Sequence, residues 1–328
     1  MYPKVSLAIP LHNEEAVIEE LLRRARATLD HLPNGPHRVL FVDDGSSDHT
    51  LDHLERAARE DSRIQIVALS RNFGHQAALT AALDYIDGDV VVVMDGDLQD
   101  PPEVIPQFVQ KYLEGYDVVY ARRTNRKESW LLRSCYFIFY RLLANLSEIQ
   151  LPLDAGDFGL MSRRVVEHLR KLPEHHRYLR GLRSWVGFNQ IGIEVERSER
   201  HAGTSKYSLW RLLKLASDGI FAFSIVPIRV AALLGAGTIA ISVLYAFYAL
   251  YAKLFLERSP QGFTALTMLL VFLSGSLLLF LGIVGEYVGR VYEEVKGRPI
   301  YVVGRLIRGG SELHEEKDAV SPAHILGR

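Results

Sequence analysis

Apolar runs and amphipathic stretches alternate along residues 1–125 of the chain. Short apolar runs predict strands at Val5–Leu11, Arg38–Val42, Ile64–Leu69, Val90–Met94 and Asp117–Tyr120. Between them, apolar residues at helical spacing predict helices at Glu14–Leu29, Thr50–Glu60, His75–Ile86 and Pro102–Glu114. Pro102 suits the first turn of a helix, where its missing N–H is no loss. Strand and helix in alternation predict an α/β domain on a largely parallel sheet. Ligands of such sheets gather at the carboxyl ends of the strands. The polar clusters Pro10–Glu14, Asp43–Asp48 and Asp95–Asp100 each follow a strand directly, so three acidic loops are expected on one edge.

The pattern then changes. Over residues 128–148, Arg133, Arg141, Asn145 and Glu148 project to one side of a helix, with Leu131, Cys135, Phe139 and Leu142 on the other. Residues 208–226 repeat the theme, with Arg211, Lys214 and Asp218 on one face among Leu, Trp and Phe. Both stretches predict interfacial amphipathic helices that lie against membrane lipids.

Two uncharged runs follow, Val230–Ala252 and Ser259–Gly285. A spanning helix needs about 20 mostly apolar residues, so each run predicts a crossing, at about 230–252 and 262–285. Basic residues flank this pair: Arg211, Lys214 and Arg229 before it, and Arg290, Lys296, Arg298, Arg305 and Arg308 after it. The short connection carries only Lys253 and Arg258, so both termini and the first domain are expected on the cytoplasmic side of an inner, multi-pass membrane protein. The expected organisation is a catalytic domain over residues 1–227, a two-helix transmembrane hairpin over 228–289 and a cytoplasmic tail over 290–328.

Composition adds constraints. With 38 basic against 39 acidic residues in 328, nothing marks nucleic acid as a partner. A single cysteine, Cys135, excludes an internal disulfide framework and fits a reducing compartment. The first residues turn acidic by Glu14 and offer no small-residue cleavage site, so they are not read as a signal peptide.

The strongest chemistry lies in the string from Val90 to Glu103, where a hydrophobic strand delivers Asp95 and Asp97 into a turn. Paired carboxylates are hard oxygen ligands suited to Mg2+ or Mn2+, which also take phosphate oxygens and water. Such an ion neutralises charge on a departing diphosphate. In the second loop, Gly45 permits a tight turn, Asp48 is read as a helix cap, and Asp44 is placed to accept from a base imide or ribose hydroxyls. Pro10, His12 and Glu14 form the matching first loop. His75, His175 and His176 have no metal-ligand partners at convincing spacing and are read as structural or solvated.

The strings IPLHNEE, FVDDGSSD, LSRNFGHQAAL, MDGDLQDPPE, DAGDFGLM, ERHAGTSKYS and GEYVGRVYEEVKGRP together resemble the polyprenyl-phosphate glycosyltransferases, bacterial relatives of dolichol-phosphate mannose synthase. The likeness runs from about Val5 to Val303, and the subgroup it resembles is the undecaprenyl-phosphate glucosyltransferases. It implies a GT-A fold and inverting transfer of a sugar from a nucleotide-sugar donor, UDP-glucose first, to a polyprenyl phosphate. Modified arabinose, mannose and galactose donors stay open, as does assembly into a homo-oligomer.

By the same resemblance, Pro10, His12, Glu14, Val42 and Asp44 hold the nucleotide. Asp95, Gly96 and Asp97 meet diphosphate and metal, with Gln99 assisting. Arg122 and Arg123, with Ser205, face the acceptor phosphate, and Arg123 also the donor. Arg200 and Lys206 close over the diphosphate from a loop freed by Gly203. Asp157 lies near the acceptor. A phosphate monoester has a second pKa of about 6, so its oxygen needs no strong base. Asp157 is left to orient the acceptor, hold the metal or stabilise charge at the anomeric carbon. Asp154 reads as structural, and Trp185 as packed. Many relatives carry arginine where this chain has Gly159, and Arg163 or Arg164 is the expected compensation.

Three rivals fare worse. A processive polysaccharide synthase would show a Gln-x-x-Arg-Trp string and more spans. A nicotinamide oxidoreductase would show Gly-x-Gly-x-x-Gly after the first strand. A catalytically silent nucleotide-sugar-binding scaffold would not need Asp95, Asp97, Arg200 and Lys206.

Overall fold

The computed structural model describes residues 2–123, 155–175, 177–196, 226–255 and 262–313. The stretches predicted as interfacial helices, apart from Val226, lie outside these residues, as do Asp154, His176, Arg200, Gly203, Ser205 and Lys206.

The sheet has nine strands: β1 (Val5–Leu11), β2 (Arg38–Asp43), β3 (Ile64–Leu69), β4 (Val90–Val93), β5 (Val118–Arg123), β6 (Ala155–Ser162), β7 (Gln190–Val195), β8 (Val303–Arg308) and β9 (Ser311–Leu313). Their order is β7-β5-β6-β4-β1-β2-β3-β8-β9. The predicted parallel arrangement holds at the centre, where β4, β1, β2 and β3 run side by side. Around it the sheet is mixed: β6 runs antiparallel between β4 and β5, and β8 and β9 are antiparallel at the far edge.

Strand alternation divides the core in two. Val5, Leu7, Ile9, Val90 and Val92 face one layer, while Ala8, Val91 and Val93 face the other. The first layer is closed by α1 (Ile18–His31), α2 (Thr50–Glu60) and α4 (Ile105–Leu113, after a tight turn at Pro102–Val104). The second is closed by α3 (His75–Tyr85), α5 (Arg163–Arg170) and α6 (Leu179–Trp185). Helix α1 buries Ile18, Leu21, Leu22, Ala25 and Leu29, an i, i+3, i+4, i+7 stripe. It starts later than the predicted Glu14. Asn13 adopts the left-handed region (φ 55°), and residues 13–15 are tied instead to the loop after β2.

Two long helices follow, α7 (Val226–Phe255) and α8 (Phe263–Lys296). Two spans were expected. By length and composition, one stretch among the described residues is long and apolar enough to cross a membrane, Phe272–Lys296. The apolar stretch of α7, Val230–Tyr245, is shorter.

The region expected as a tail is different from that reading. Gly297 ends α8 in the left-handed conformation (φ 58°), and the chain then re-enters the sheet as β8, with Ile66 opposite Ile307 and Val67 opposite Leu306. Leu306 and Ile307 are buried. Tyr301 donates its hydroxyl to Asp84 at 2.7 Å, and Arg305 pairs with Glu55 of α2. Sequence pattern missed this strand because it is short, carries two arginines and pairs with a partner more than two hundred residues earlier.

Candidate active site

The carboxyl ends of β1, β2 and β4 lie side by side, as the alternation predicted, and the loops after β1 and β2 lock together. Asn13 donates its N–H to Ser46 Oγ at 3.0 Å and accepts from the Ser47 N–H at 2.8 Å. Asp48 takes the N–H of Thr50 at 3.0 Å and that of Glu15 at 3.2 Å, from one residue ahead of His49, which holds the N-cap position expected for Asp48. His12 sits exposed, with Nδ1 3.0 Å from the carbonyl oxygen of Asp44. Glu14 donates its N–H to Thr50 Oγ1. Pro10 and Val42 are register partners within the sheet, and the Val42 side chain is buried in the layer under α3.

The two carboxylates of the second loop differ in their surroundings. Asp44 accepts from the N–H groups of Phe73 (2.7 Å) and Gly74 (2.9 Å), so it organises the loop that leads into α3. Asp43 accepts from the Ser46 N–H at 3.2 Å, while its Oδ1 is buried without a hydrogen bond. Burial pushes the Asp43 pKa up, against the pull of the Ser46 hydrogen bonds. Gly45 is irreplaceable here: its φ is 63°, and a Cβ would stand 2.5 Å from the carbonyl carbon of Arg71.

The acidic turn after β4 is just as tight. A Cβ on Gly96 would meet a Leu11 methyl at 2.1 Å, and the buried Leu98 holds φ at 58°, a region a branched aliphatic side chain seldom adopts. The Gln99 N–H donates to Asp97 Oδ1 at 3.1 Å, fixing that carboxylate within the turn.

Strand β6 brings in Asp157. Val90 opposes Ser162 and Val93 opposes Gly159. Asp95 lies two residues after Val93 and Asp157 two residues before Gly159, so both belong to this end of the strand pair. Asp157 is 4% exposed and is gripped by Arg180 of α6, Nε to Oδ1 and Nη2 to Oδ2, both at 2.8 Å. His75, the first residue of α3, places Nε2 3.6 Å from Asp95 Oδ1 and 3.7 Å from Asp157 Oδ2. Burial alone would raise the Asp157 pKa, but the hydrogen bonds from Arg180 and the nearby His75 ring hold it far below the usual carboxylate range. For His75, burial pulls the pKa down, and the two carboxylates more than offset it, leaving it raised.

Other expected residues stand apart from this cluster. Arg122 belongs to β5, not to a loop after it, and pairs with Glu194 at 2.8 Å. The backbone of Arg123 pairs with Val195. Trp185, expected to be packed, is 58% exposed. The expected compensation for Gly159 fails on position. Arg163 and Arg164 follow the end of β6 that meets the start of β4, where they pair with Glu167 and Asp117. Gly159 itself has no room for a side chain, since a Cβ would lie 2.6 Å from the Val119 carbonyl oxygen.

Sequence reading set His75 aside as structural or solvated. One signal was available: His75 opens the helix after the third strand, on the same carboxyl edge as the acidic loops.

Among the described residues, no cluster of three His, Cys, Asp or Glu side chains is arranged to hold a metal ion. The pair Asp95 and Asp97 offers hard oxygen donors on one turn, which fits a divalent ion that draws its remaining ligands from phosphate and water.

Comparison with known proteins agrees with this architecture. Residues 6–170 match the model of Glycosyl transferase family 2. An uncharacterized glycosyltransferase of Bacillus subtilis, YkcC, is 44% identical over 299 residues, covering 91% of this chain and 92% of that protein. The SfII prophage-derived bactoprenol glucosyl transferase of Shigella flexneri is 38% identical over 307 residues, covering 93% and 99%. Among solved structures, the mannosyltransferase PcManGT of Pyrobaculum calidifontis, in complex with GDP-Man and Mn2+, has a TM-score of 0.49 at 20% identity, covering 90% of this chain and 86% of its own.

Proposed function

The chain belongs to glycosyl transferase family 2 and is a glycosyltransferase of GT-A fold, and from that premise we propose that it transfers glucose from UDP-glucose to undecaprenyl phosphate at the cytoplasmic face of a membrane. The observation that carries the reading is the meeting of Asp95 and Asp157, from adjacent strands, around His75 on the carboxyl edge of the parallel strands. Relatives named bactoprenol glucosyl transferase, 35–38% identical over most of the chain, support the lipid acceptor and the sugar.

Donor and acceptor divide the edge between them. The carboxyl ends of β1 and β2 and the loops after them, with Pro10, His12, Glu14, Asp43 and Asp44, hold the nucleoside; Val42 contributes through its backbone. Asp95 and Asp97 would hold Mg2+ or Mn2+ on the diphosphate, with Gln99 fixing Asp97 through its N–H. When bound, such an ion supplies Lewis-acid neutralisation of the leaving group. Arg122, Arg123, Arg200, Ser205 and Lys206 supply the positive charge and donors that phosphate groups require. A phosphate oxygen of the acceptor bonds to the anomeric carbon as the bond from that carbon to the diphosphate oxygen breaks. The electron pair leaves with UDP, and configuration inverts. Asp157, locked as an anion by Arg180, orients the acceptor and stabilises charge at the anomeric carbon; it takes no proton.

Topology supports two crossings. Strands β7 and β8 belong to one sheet, so the chain that leaves it after Val195 and returns at Val303 begins and ends on one side of the membrane. If α8 crosses, a second crossing must precede it, and α7 is the long apolar helix in that interval.

The test offers the purified protein undecaprenyl phosphate with a panel of UDP-, GDP- and dTDP-sugars and detects glycolipid by mass spectrometry. UDP-glucose is expected to give product. A different productive donor corrects the sugar, and no product from any donor rejects the reading.

A further inference from the structure

We propose that His75 is a positioning residue whose Nε2 spans the gap between Asp95 on the donor side and Asp157 on the acceptor side, fixing how far apart the two carboxylates stand. The proposal rests on the transferase reading for the roles of those two sides, and on the following geometry for the bridge itself.

Asp95 and Asp157 both come within 4 Å of one imidazole nitrogen, and two carboxylates brought that close repel. Nε2 of His75 lies almost equally far from both, at 3.6 and 3.7 Å. These two distances carry the bridge, and no change of protonation is invoked. The starts of the two helices are joined beside the cluster. The next residue, Gln76, accepts the N–H of Leu179 at 2.9 Å through its side-chain oxygen. Leu179 opens the short helix that carries Arg180, so the helix starts that bring His75 and Arg180 to Asp157 are tied to each other. A histidine serving packing alone would be covered, whereas the His75 side chain is 46% exposed on the edge where substrates enter. Its bridge makes the placement of the donor diphosphate depend on the placement of the acceptor-side carboxylate.

The experiment compares His75→Phe, which keeps ring volume without a nitrogen, with His75→Gln, whose amide nitrogen reaches the place of Nε2. Both are made in the full-length protein in phospholipid nanodiscs. Two readouts are taken: Mn2+ binding in the presence of UDP by electron paramagnetic resonance, and steady-state transfer with UDP-glucose and undecaprenyl phosphate. His75→Phe is expected to weaken Mn2+ binding about tenfold, as loss of an outer partner to a metal ligand does. It should lower kcat by about two orders of magnitude with little change in donor KM, the signature of misplacement rather than lost binding. His75→Gln should regain at least about a tenth of wild-type kcat by restoring the donor. Unchanged Mn2+ affinity in His75→Phe overturns the proposal. So does equal impairment of both variants alongside equal losses in melting temperature, which marks a structural role. Should wild-type protein bind Mn2+ with UDP yet transfer no sugar from any donor, the transferase reading fails, while the Mn2+ comparison still decides the bridge.

Discussion

Arg180 holds Asp157 through two parallel hydrogen bonds of 2.8 Å, in a place that leaves the carboxylate almost no contact with solvent. An anion so fixed cannot serve as a proton acceptor near neutrality. The folded pKa lies below the unfolded value of about 4, so the pair contributes its full stabilisation above about pH 4 and loses it on acidification through the folded value. The pH profile of kcat/KM is therefore expected to show an acid limb set by the acceptor phosphate, near its second pKa of about 6. An acid limb in wild type that disappears in Asp157→Asn, measured with the same acceptor, would contradict this.

Removing the cation exposes the cost of the arrangement. Arg180→Met keeps most of the side-chain volume and strands a buried charge, a change that costs about 3–5 kcal/mol in comparable pairs. Urea denaturation should show the midpoint falling accordingly, and Arg180→Met combined with Asp157→Leu should recover much of the loss. A single variant as stable as wild type contradicts the pairing.

Asp97→Asn should abolish transfer while leaving the fold intact, because the amide keeps the turn's shape and its acceptor for the Gln99 N–H but loses the charge. Circular dichroism checks the fold, and glycolipid formation checks activity. Full activity in the presence of a metal chelator would sink the assignment.

Gly159→Ala tests the crowding on β6. Its new methyl would press on the Val119 carbonyl, and overpacking of this kind costs about 1–3 kcal/mol. Gly159→Arg should be worse, because a longer side chain starts from the same crowded position. Thermal melts of the two variants rank them.

Tyr301→Phe removes the hydroxyl donated to Asp84 and leaves that carboxylate short of a partner, at a cost of about 1–3 kcal/mol. Because Tyr301 lies between the end of α8 and β8, the loss should be seen as faster amide exchange in β8 as well as a lower melting point. Unchanged exchange in β8 would show that the contact does not secure the strand.

Much of this was legible along the chain. The strands from Val5 to Met94 announced themselves as apolar runs, and the edge rule placed the acidic loops correctly. What escaped was non-local. Strand β6 carries Asp157 between Gly156 and Phe158, and its pairing with β4 and β5 cannot be seen from its own sequence. His75 was passed over because metal-ligand spacing was sought within one segment, whereas its partners, Asp95 and Asp157, come from two others. Nor did anything in the sequence show that Asp44, read as a nucleotide ligand, accepts the N–H groups of Phe73 and Gly74 and so shapes the loop into α3.

Strand β8 has a mechanical meaning. A catalytic head hung from a single stalk would swivel, and its mouth would sweep through every tilt above the bilayer. Here the chain leaves the sheet after β7 and rejoins it at the far edge through β8, so on the proposed reading the head is moored at two points. On that reading, such mooring would fix the height and heading of the carboxyl edge over the lipid surface, and an acceptor lipid would arrive by sideways diffusion to an opening that does not turn away.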